Sequence, residues 1–447
     1  MSFTETLDSF FHITERGSTL STEIKGGVIT FLAMCYILVA NPAIVGNAYP
    51  NIDQLFTATA IAACVSCILM GIYARFPVAL APGMGINAFI TYTIVFGLGF
   101  TYPQALMAVF ISGILFLILS VTGFRTKLIN SMPKSFRMSI TAGIGFFIAY
   151  IGLVDVGLIV NTGGPSFVPG FVGTWDAAIF VALVGIFLTL GLYFLNKWYA
   201  TLAGIIGAFI VALILGEITT PTEWVTQPDF GLFGSMFNDF GSLDSSQYVA
   251  FVAAILSLLF VDVGDTTGTL VAVGGRAGFI DEGGNLMDGE KAMQVDSIAT
   301  IAGAAFGTTT TTAFIESTTG IENGARTGIM PIVVGLLFAI SLFLAPVFGM
   351  ITYQCIVGAL FLVGVLMLTS VKDVEWNDPV LAGTAFATIL IMGLSYSITN
   401  GIGAGAIVYV FGQLLSGRIK ETNKFMIALA ILFAVFFILN YAVIPRL

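Results

Sequence analysis

Three carboxylates lie in or beside long apolar runs: Asp262 and Asp265 in LLFVDVGDTTGTL, and Glu316 in GTTTTTAFIESTTGIENGARTG. A charged side chain at the centre of a bilayer costs about 2.5 to 3.5 kcal/mol on insertion scales, so by default such a residue faces a cavity and serves a function. Asp262, Asp265, Thr266 and Thr269 recur at i, i+3, i+4 and i+7 and so share one face of a helix. No lysine or arginine is placed deep in a span to neutralise these acids. They therefore repel one another, and one of them can hold and exchange a proton. A proton crossing about 100 mV releases about 2.3 kcal/mol, enough for roughly fifty-fold accumulation of a companion solute. Carboxylates also accept hydrogen bonds, often two side by side from adjacent N–H groups. With Asn87, the threonines and 13% aromatic residues, they suit a flat neutral ring bearing several N–H donors, and they repel an anion.

Two interrupted segments position these groups. The β-branched run 308–312 favours extended backbone, which at membrane depth is tolerated only where protein buries it or it lines a cavity. It reads as a short strand leading into a half-helix, with Glu316 at the junction, where a solute meets both the carboxylate and free backbone groups. The third apolar segment is broken in the same way: Pro77 and then Pro82, Gly83 and Gly85 precede Asn87 and prevent a continuous helical ladder.

The chain has 447 residues, 57% of them apolar and 9% charged, with mean hydropathy +1.00. Soluble domains carry about 25% charged residues, so lipid solvates most of this chain. A net charge of −9 gives no reason to expect a nucleic-acid partner. Apolar runs predict spans near 24–46, 54–74, 77–97, 103–123, 135–157, 175–195 and 199–216. A polar linker follows, and then spans near 247–274, 293–306, 308–325, 328–351, 354–371, 379–396 and 400–417. With the N-terminus cytoplasmic, Arg75, Arg125, Lys127, Lys134, Arg137, Lys197, Arg276, Lys291, Arg326, Lys372 and Arg418 all fall on the inner side. The linker holds Glu217, Glu223, Asp229, Asp239 and Asp244 but no Lys or Arg, as an external loop should. Asp155, Asp296 and Glu322 fall near span ends and read as interfacial.

Seven spans per half put the halves in opposite orientations, the arrangement of inverted-repeat transporters whose sites lie where broken helices meet. Ala88-Phe89-Ile90-Thr91 in the third span is similar to Ala313-Phe314-Ile315-Glu316 in the tenth. AGIIGAFIVALILG from Ala203 is similar to AGAIVYVFGQLLSG from Ala404, in the seventh and fourteenth. The apolar run 425–443 fits no slot in this count. Spanning would place Arg446 outside, so a packed or interfacial helix is expected.

Cys35, Cys64, Cys67 and Cys355 all lie in apolar runs, and without nearby His or Asp ligands they read as packing residues. The single histidine, His12, precedes the first span, so no metal centre or cofactor is expected. Residues 1–17 lack the features of a cleavable signal peptide. Phe3, Leu7, Phe10 and Phe11 instead fall at helical spacing, as in a short helix on the membrane surface.

Four stretches carry a specific resemblance: TFLAMCYILVANPAIVG from Thr30, PVALAPGMGINAFITYT from Pro77, FVDVGDTTGTLVAV from Phe260 and AFIESTTGIENGARTG from Ala313. Together they resemble the azaguanine-sensitive purine permease branch of the nucleobase/ascorbate (xanthine/uracil) transporter superfamily. The resemblance implies an all-α polytopic membrane protein of 14 segments in a 7+7 inverted repeat, with short strands in segments 3 and 10. It implies a core of 24–123 and 247–351, a gate of 124–217 and 352–417, an external linker at 218–246, and flanking pieces at 1–23 and 418–447. Proton-coupled uptake of adenine, guanine or hypoxanthine by an elevator-like motion in the cell membrane is the implied activity, with sodium as the alternative coupling ion and a homodimer through the gate. Asp262 and Glu316 then correspond to the acids that hold the base, and Asp265, with Asp262, to the proton-coupling group. Asn87 and Ser317 correspond to polar positions of the site, beside Thr269. Gly324-Ala325-Arg326-Thr327-Gly328 departs from the family's Gly-Gly-Arg-Thr-Gly by one alanine, and Arg326 reads as a cytoplasmic anchor. Three other readings compete: the same architecture carrying xanthine or uracil, an intramembrane aspartyl hydrolase using these acids, and a passive channel. Nothing in the hydrolase reading requires the paired broken segments.

Overall fold

The computed structural model describes residues 3–122, 132–161, 169–171, 175–243, 247–279, 286–287 and 289–438. Arg125, Lys127, Asp244 and Arg446 lie outside them. The described chain is mostly helical, and eight of its helices are long and apolar enough to cross a membrane by length and composition.

In chain order, α1 (Phe3–Phe11) is followed by α2 (Leu20–Met34) and α3 (Ile37–Val45), which form one broken rod with Pro42 inside its second part. α4 (Ile52–Leu69) ends in a π turn, Met70–Ala74. The third segment is β1 (Leu80–Pro82), the short α5 (Met84–Ala88) and a π-helical stretch, Phe89–Gly97. α6 (Tyr102–Val121) starts at a Thr101–Gln104 capping box, which satisfies its first free N–H groups. Then come α7 (Lys134–Asp155), the hairpin strands β2 (Ile159–Asn161) and β3 (Pro169–Phe171), α8 (Ala177–Phe194) and α9 (Ala200–Ile214).

The second half runs α10 (Tyr248–Ala277), α11 (Gly289–Phe306), β4 (Thr311–Ala313), α12 (Ser317–Glu322), α13 (Ile329–Ser341) and α14 (Ala345–Gly349). α15 (Tyr353–Leu368), α16 (Pro379–Leu394), α17 (Ile398–Leu415) and α18 (Lys424–Phe437) complete it. An element thus lies at each of the fourteen expected positions, several of them shorter than a full span. α18 packs along α17 through Met426, Leu429 and Phe433, which are buried, while Ile431 and Ile438 are exposed.

Two groups of helices emerge from the packing. α13 lies against α2 and α4, α11 against α4 and α6, and α10 against α6. Separately, α15 lies against α7, α8 and α9, while α16 lies against α7 and α17. The N-terminal helix docks on the first group: Phe11 and Ile13 are buried with Ile329, and the Arg75 guanidinium sits 4.0 Å over the Phe10 ring. The linker after α9 also folds back, so that Leu232 presses on Gly307. That glycine has φ +93°, and a Cβ there would lie 2.3 Å from Leu232 Cβ, so only glycine is accommodated.

Candidate functional site

β1 and β4 meet antiparallel in the first helix group, with Leu80 opposite Ala313, Ala81 opposite Thr312 and Pro82 opposite Thr311. Both strands are fully buried, so every backbone group needs a protein partner. Pro82 has no N–H to give, and the register ends there. Beyond it, Gly83 N–H donates to the Thr310 carbonyl (3.0 Å), and at the other end Phe314 N–H donates to the Ala79 carbonyl (2.9 Å). Cys67 Sγ accepts from Leu80 N–H at 3.1 Å, which gives that packing cysteine a share in holding the strand.

The threonines ahead of β4 are pinned one by one. Asn41 donates through Nδ2 to Thr308 Oγ1 (2.8 Å) and Thr59 Oγ1 (2.6 Å), and Thr309 donates to Asn87 Oδ1. Asn87 is fully buried, and its Nδ2 has no hydrogen-bond partner among the described residues. Ser317 is buried as well, with its Oγ accepting the Ala79 N–H at 3.0 Å. Both residues therefore tie the two broken segments to each other.

Behind the strands, α10 and α11 face one another through a reciprocal pair of Asp–Thr bonds. Thr300 Oγ1 donates to Asp262 Oδ2 at 3.0 Å, and Thr266 Oγ1 donates to Asp296 Oδ2 at 2.6 Å. Thr266 Oγ1 also lies 2.9 Å from Thr312 Oγ1, and Asp296 Oδ1 accepts the Ala313 N–H at 2.9 Å. Asp296 is thus not interfacial: it is fully buried in the third turn of α11. That helix begins at Gly289, before the apolar run that marked it in the sequence. Glu322, by contrast, is exposed and paired with Arg276.

The shared face of α10 divides. Asp262 and Thr266 are buried toward α11 and β4, Thr269 is half-buried, and Asp265 opens on a cavity of about 270 Å³. This cavity lies at the seam between the helix groups, with Gly264 and Gly268 of α10 on one wall and Thr141, Ile144 and Met367 on the other. Arg137, in the first turn of α7, also lines it, so a cation does share space with an acid.

Glu316 sits at the N-terminus of α12, half-buried. The Tyr36 hydroxyl, from the break between α2 and α3, donates to Glu316 Oε1 at 2.6 Å. The backbone groups expected to be free at this junction are occupied: Ser317, Thr318 and Thr319 donate to the carbonyls of Phe314, Ile315 and Glu316. A tight turn satisfies these three N–H groups, which leaves the side chains as the groups able to meet a solute. Arg326 is likewise more than an anchor, because its guanidinium folds onto the Ile321 and Ala325 carbonyls while Glu23, fully buried, accepts the Arg326 and Thr327 N–H groups.

The sequence pattern does not single out Tyr36, Asn41 or Glu23, and it marks Asp296 only as interfacial. The adjacency of Asn41 and Pro42 within an apolar run was a usable signal for one of them; a tyrosine among Ile and Leu carries none.

A Permease family model (Xan_ur_permease) matches residues 21–404. The guanine/hypoxanthine permease PbuG of Bacillus subtilis is 37% identical over 445 residues, covering 97% of this chain and 99% of its own. The adenine permease AdeQ of Escherichia coli is 34% identical over 435 residues, covering 97% and 96%. Among solved structures, the transmembrane domain of the bicarbonate transporter BicA, from a cyanobacterium, aligns with TM-score 0.65 at 15% identity over 85% of this chain and 97% of that one, a likeness of fold alone. A match over most of the chain and relatives aligned nearly end to end make the protein a multi-pass membrane permease rather than an enzyme, and it belongs to the Permease family, in the branch that holds the guanine/hypoxanthine and adenine permeases.

Proposed function

We propose that the protein imports a purine nucleobase (adenine, guanine or hypoxanthine) by proton symport. The observation that carries this reading is the carboxylate of Asp265, on a helix of the first group, lining a cavity at the seam of the two helix groups. Carboxylate acceptors suit a neutral ring rich in N–H donors and disfavour an anion. Glu316 takes the base, and proton exchange falls to the aspartate pair, Asp265 at the cavity and Asp262 one turn before it. Asn87, Ser317 and Thr269 complete the site, the first two by holding the broken segments that frame it.

The helix group of α2–α6 with α10–α13 acts as the core, and α7–α9 with α15–α17 as the gate. A cavity that lies between them and contains Asp265 supports an elevator-like sliding of core against gate, carrying base and proton together. Opposed broken segments in the two halves support an inverted repeat. The distribution of Arg and Lys supports a cytoplasmic N-terminus in the cell membrane, and the exposed apolar faces of α8 and α9, with Phe187, Phe194 and Ile214, support a homodimer through the gate.

The test is uptake of radiolabelled adenine, guanine, hypoxanthine, xanthine and uracil by cells expressing the protein, with and without a protonophore. Accumulation of at least one purine that collapses with the protonophore is expected. No accumulation, or uptake indifferent to the proton gradient, overturns the reading.

A further inference from the structure

Tyr36 is only 4% exposed, and its ring packs in the main apolar cluster. A phenol so placed needs one partner for its hydroxyl. The partner it has is a carboxylate oxygen of Glu316, at 2.6 Å, on the other broken rod of the same helix group. A charge-assisted bond of this length is stronger than a neutral one and holds the carboxylate in one orientation.

This bond bears on which ring edge the carboxylate accepts. Guanine and hypoxanthine differ by a single amino group, placed next to the N1–H. Guanine therefore presents two adjacent donors on that edge and hypoxanthine one. A free carboxylate receives two adjacent donors side by side, one on each oxygen. When the phenol already occupies Oε1, the second donor must share an oxygen that is a weakened acceptor. A single N–H needs only one carboxylate oxygen and does not meet this competition.

We propose that Tyr36 is a specificity-determining residue: by donating to Oε1 of Glu316 it weakens that oxygen as an acceptor and disfavours purines that present two adjacent N–H donors. The proposal rests on the reading that Glu316 receives the base. The same geometry makes Tyr36 a positioning residue for Glu316.

The test compares the intact protein with Tyr36→Phe, which keeps the buried ring and removes only the hydroxyl. In cells expressing equal amounts of inserted protein, uptake of radiolabelled hypoxanthine is competed with unlabelled guanine and with unlabelled hypoxanthine. The ratio of the two inhibition constants is expected to move toward guanine by about tenfold, the worth of one hydrogen bond. A purely structural role would weaken both purines alike and leave the ratio in place, and a ratio unchanged within about twofold overturns the proposal. If the variant transports nothing, the same ratio is read from ligand-induced thermal stabilisation of the purified protein, where equal effects on both purines again overturn it. Glu316→Gln, measured in parallel, separates the two ideas. Purine binding undiminished in that variant removes the underlying reading, whereas lost binding with an unmoved Tyr36→Phe ratio removes only the proposal.

Discussion

Asp296 bridges two elements with one carboxylate, taking the Thr266 hydroxyl at 2.6 Å on one oxygen and the Ala313 backbone N–H at 2.9 Å on the other. Through this residue α11 holds both α10, which carries the two aspartates, and β4, which leads to Glu316. Asp296→Ala leaves a buried N–H and a buried hydroxyl without that partner, at about 1 to 3 kcal/mol. We expect thermal unfolding of the purified variant at lower temperature and purine uptake reduced at least tenfold. Asp296→Asn, which keeps one acceptor, should lie between. Wild-type unfolding and uptake in the alanine variant would show that β4 does not depend on this bond.

Glu316 is half-buried, and its carboxylate is held by the Tyr36 hydroxyl, a side-chain contact from a neighbouring segment. Its replacement by alanine should therefore spare folding and abolish recognition. Hydrogen bonds to charged groups are worth about 1.5 to 3 kcal/mol, so purine affinity should fall about ten- to hundred-fold or more while the protein remains inserted. Equilibrium binding to detergent-solubilised protein checks this directly, and unchanged affinity would exclude Glu316 from the site.

At the opposite end of the seam the Tyr92 hydroxyl donates to Asp155 Oδ2 at 2.7 Å. Beside it, Thr93 Oγ1 donates to the Tyr396 carbonyl and accepts the Ile398 N–H, both at 3.2 Å. Two neighbouring residues of one helix group thus fasten the other. Tyr92→Phe removes one of these bonds, about 1 kcal/mol or roughly a fivefold shift in a two-state balance. Maximal transport rate should change by up to about that factor, with equilibrium purine affinity in detergent left within twofold. A change in affinity without a change in rate would contradict a role at the seam.

Asp378 caps α16 by accepting from Val380 and Leu381 N–H groups, and it pairs with Arg418 through two bonds of 2.7 and 3.2 Å. The Arg418 hydrogen bond, foremost, holds this carboxyl down at about 2. A carboxylate depressed in the folded state stabilises above its unfolded value of about 3.9, and that contribution fades as pH falls toward 2. Both partners are partly exposed, so the effect is small. Asp378→Asn keeps the cap and should lower the unfolding temperature slightly at pH 7, with the difference from wild type shrinking between about pH 4 and pH 2. A difference that grows on acidification would contradict this account.

The broken segments were legible because Pro77, Pro82 and the threonine run violate helical rules openly, and the acids of α10 and α12 because charge is rare in apolar runs. What hid Asp296 was the same rule applied at a boundary. A charged residue shortens the apolar window, so the pattern starts this helix too late and makes its buried acid look terminal. Tyr36 was hidden differently: its ring obeys the apolar pattern, and only the position of its hydroxyl, set by the break at Cys35 and Tyr36, marks it. Arg137 counts among the basic residues of the inner side, at the start of the expected span 135–157, and nothing in that pattern shows that the first turn of α7 lines the seam. Pairings between residues far apart in sequence, such as Asn41 with Thr308, have no local signature at all.

The register of Leu80–Pro82 with Thr311–Ala313 also bears on how the protein is made. During synthesis the first strand is complete while α6 through α11 are still to be translated. Cys67 can already hold Leu80 on one side, but the edge that β4 will cover has no strand to pair with, and an unpaired edge is a template for wrong partners. The first seven segments thus cannot finish their own interior. They must wait, sheltered, for the second half of the chain, and a polypeptide truncated before Thr311 leaves an open edge that no neighbour in the same half can close.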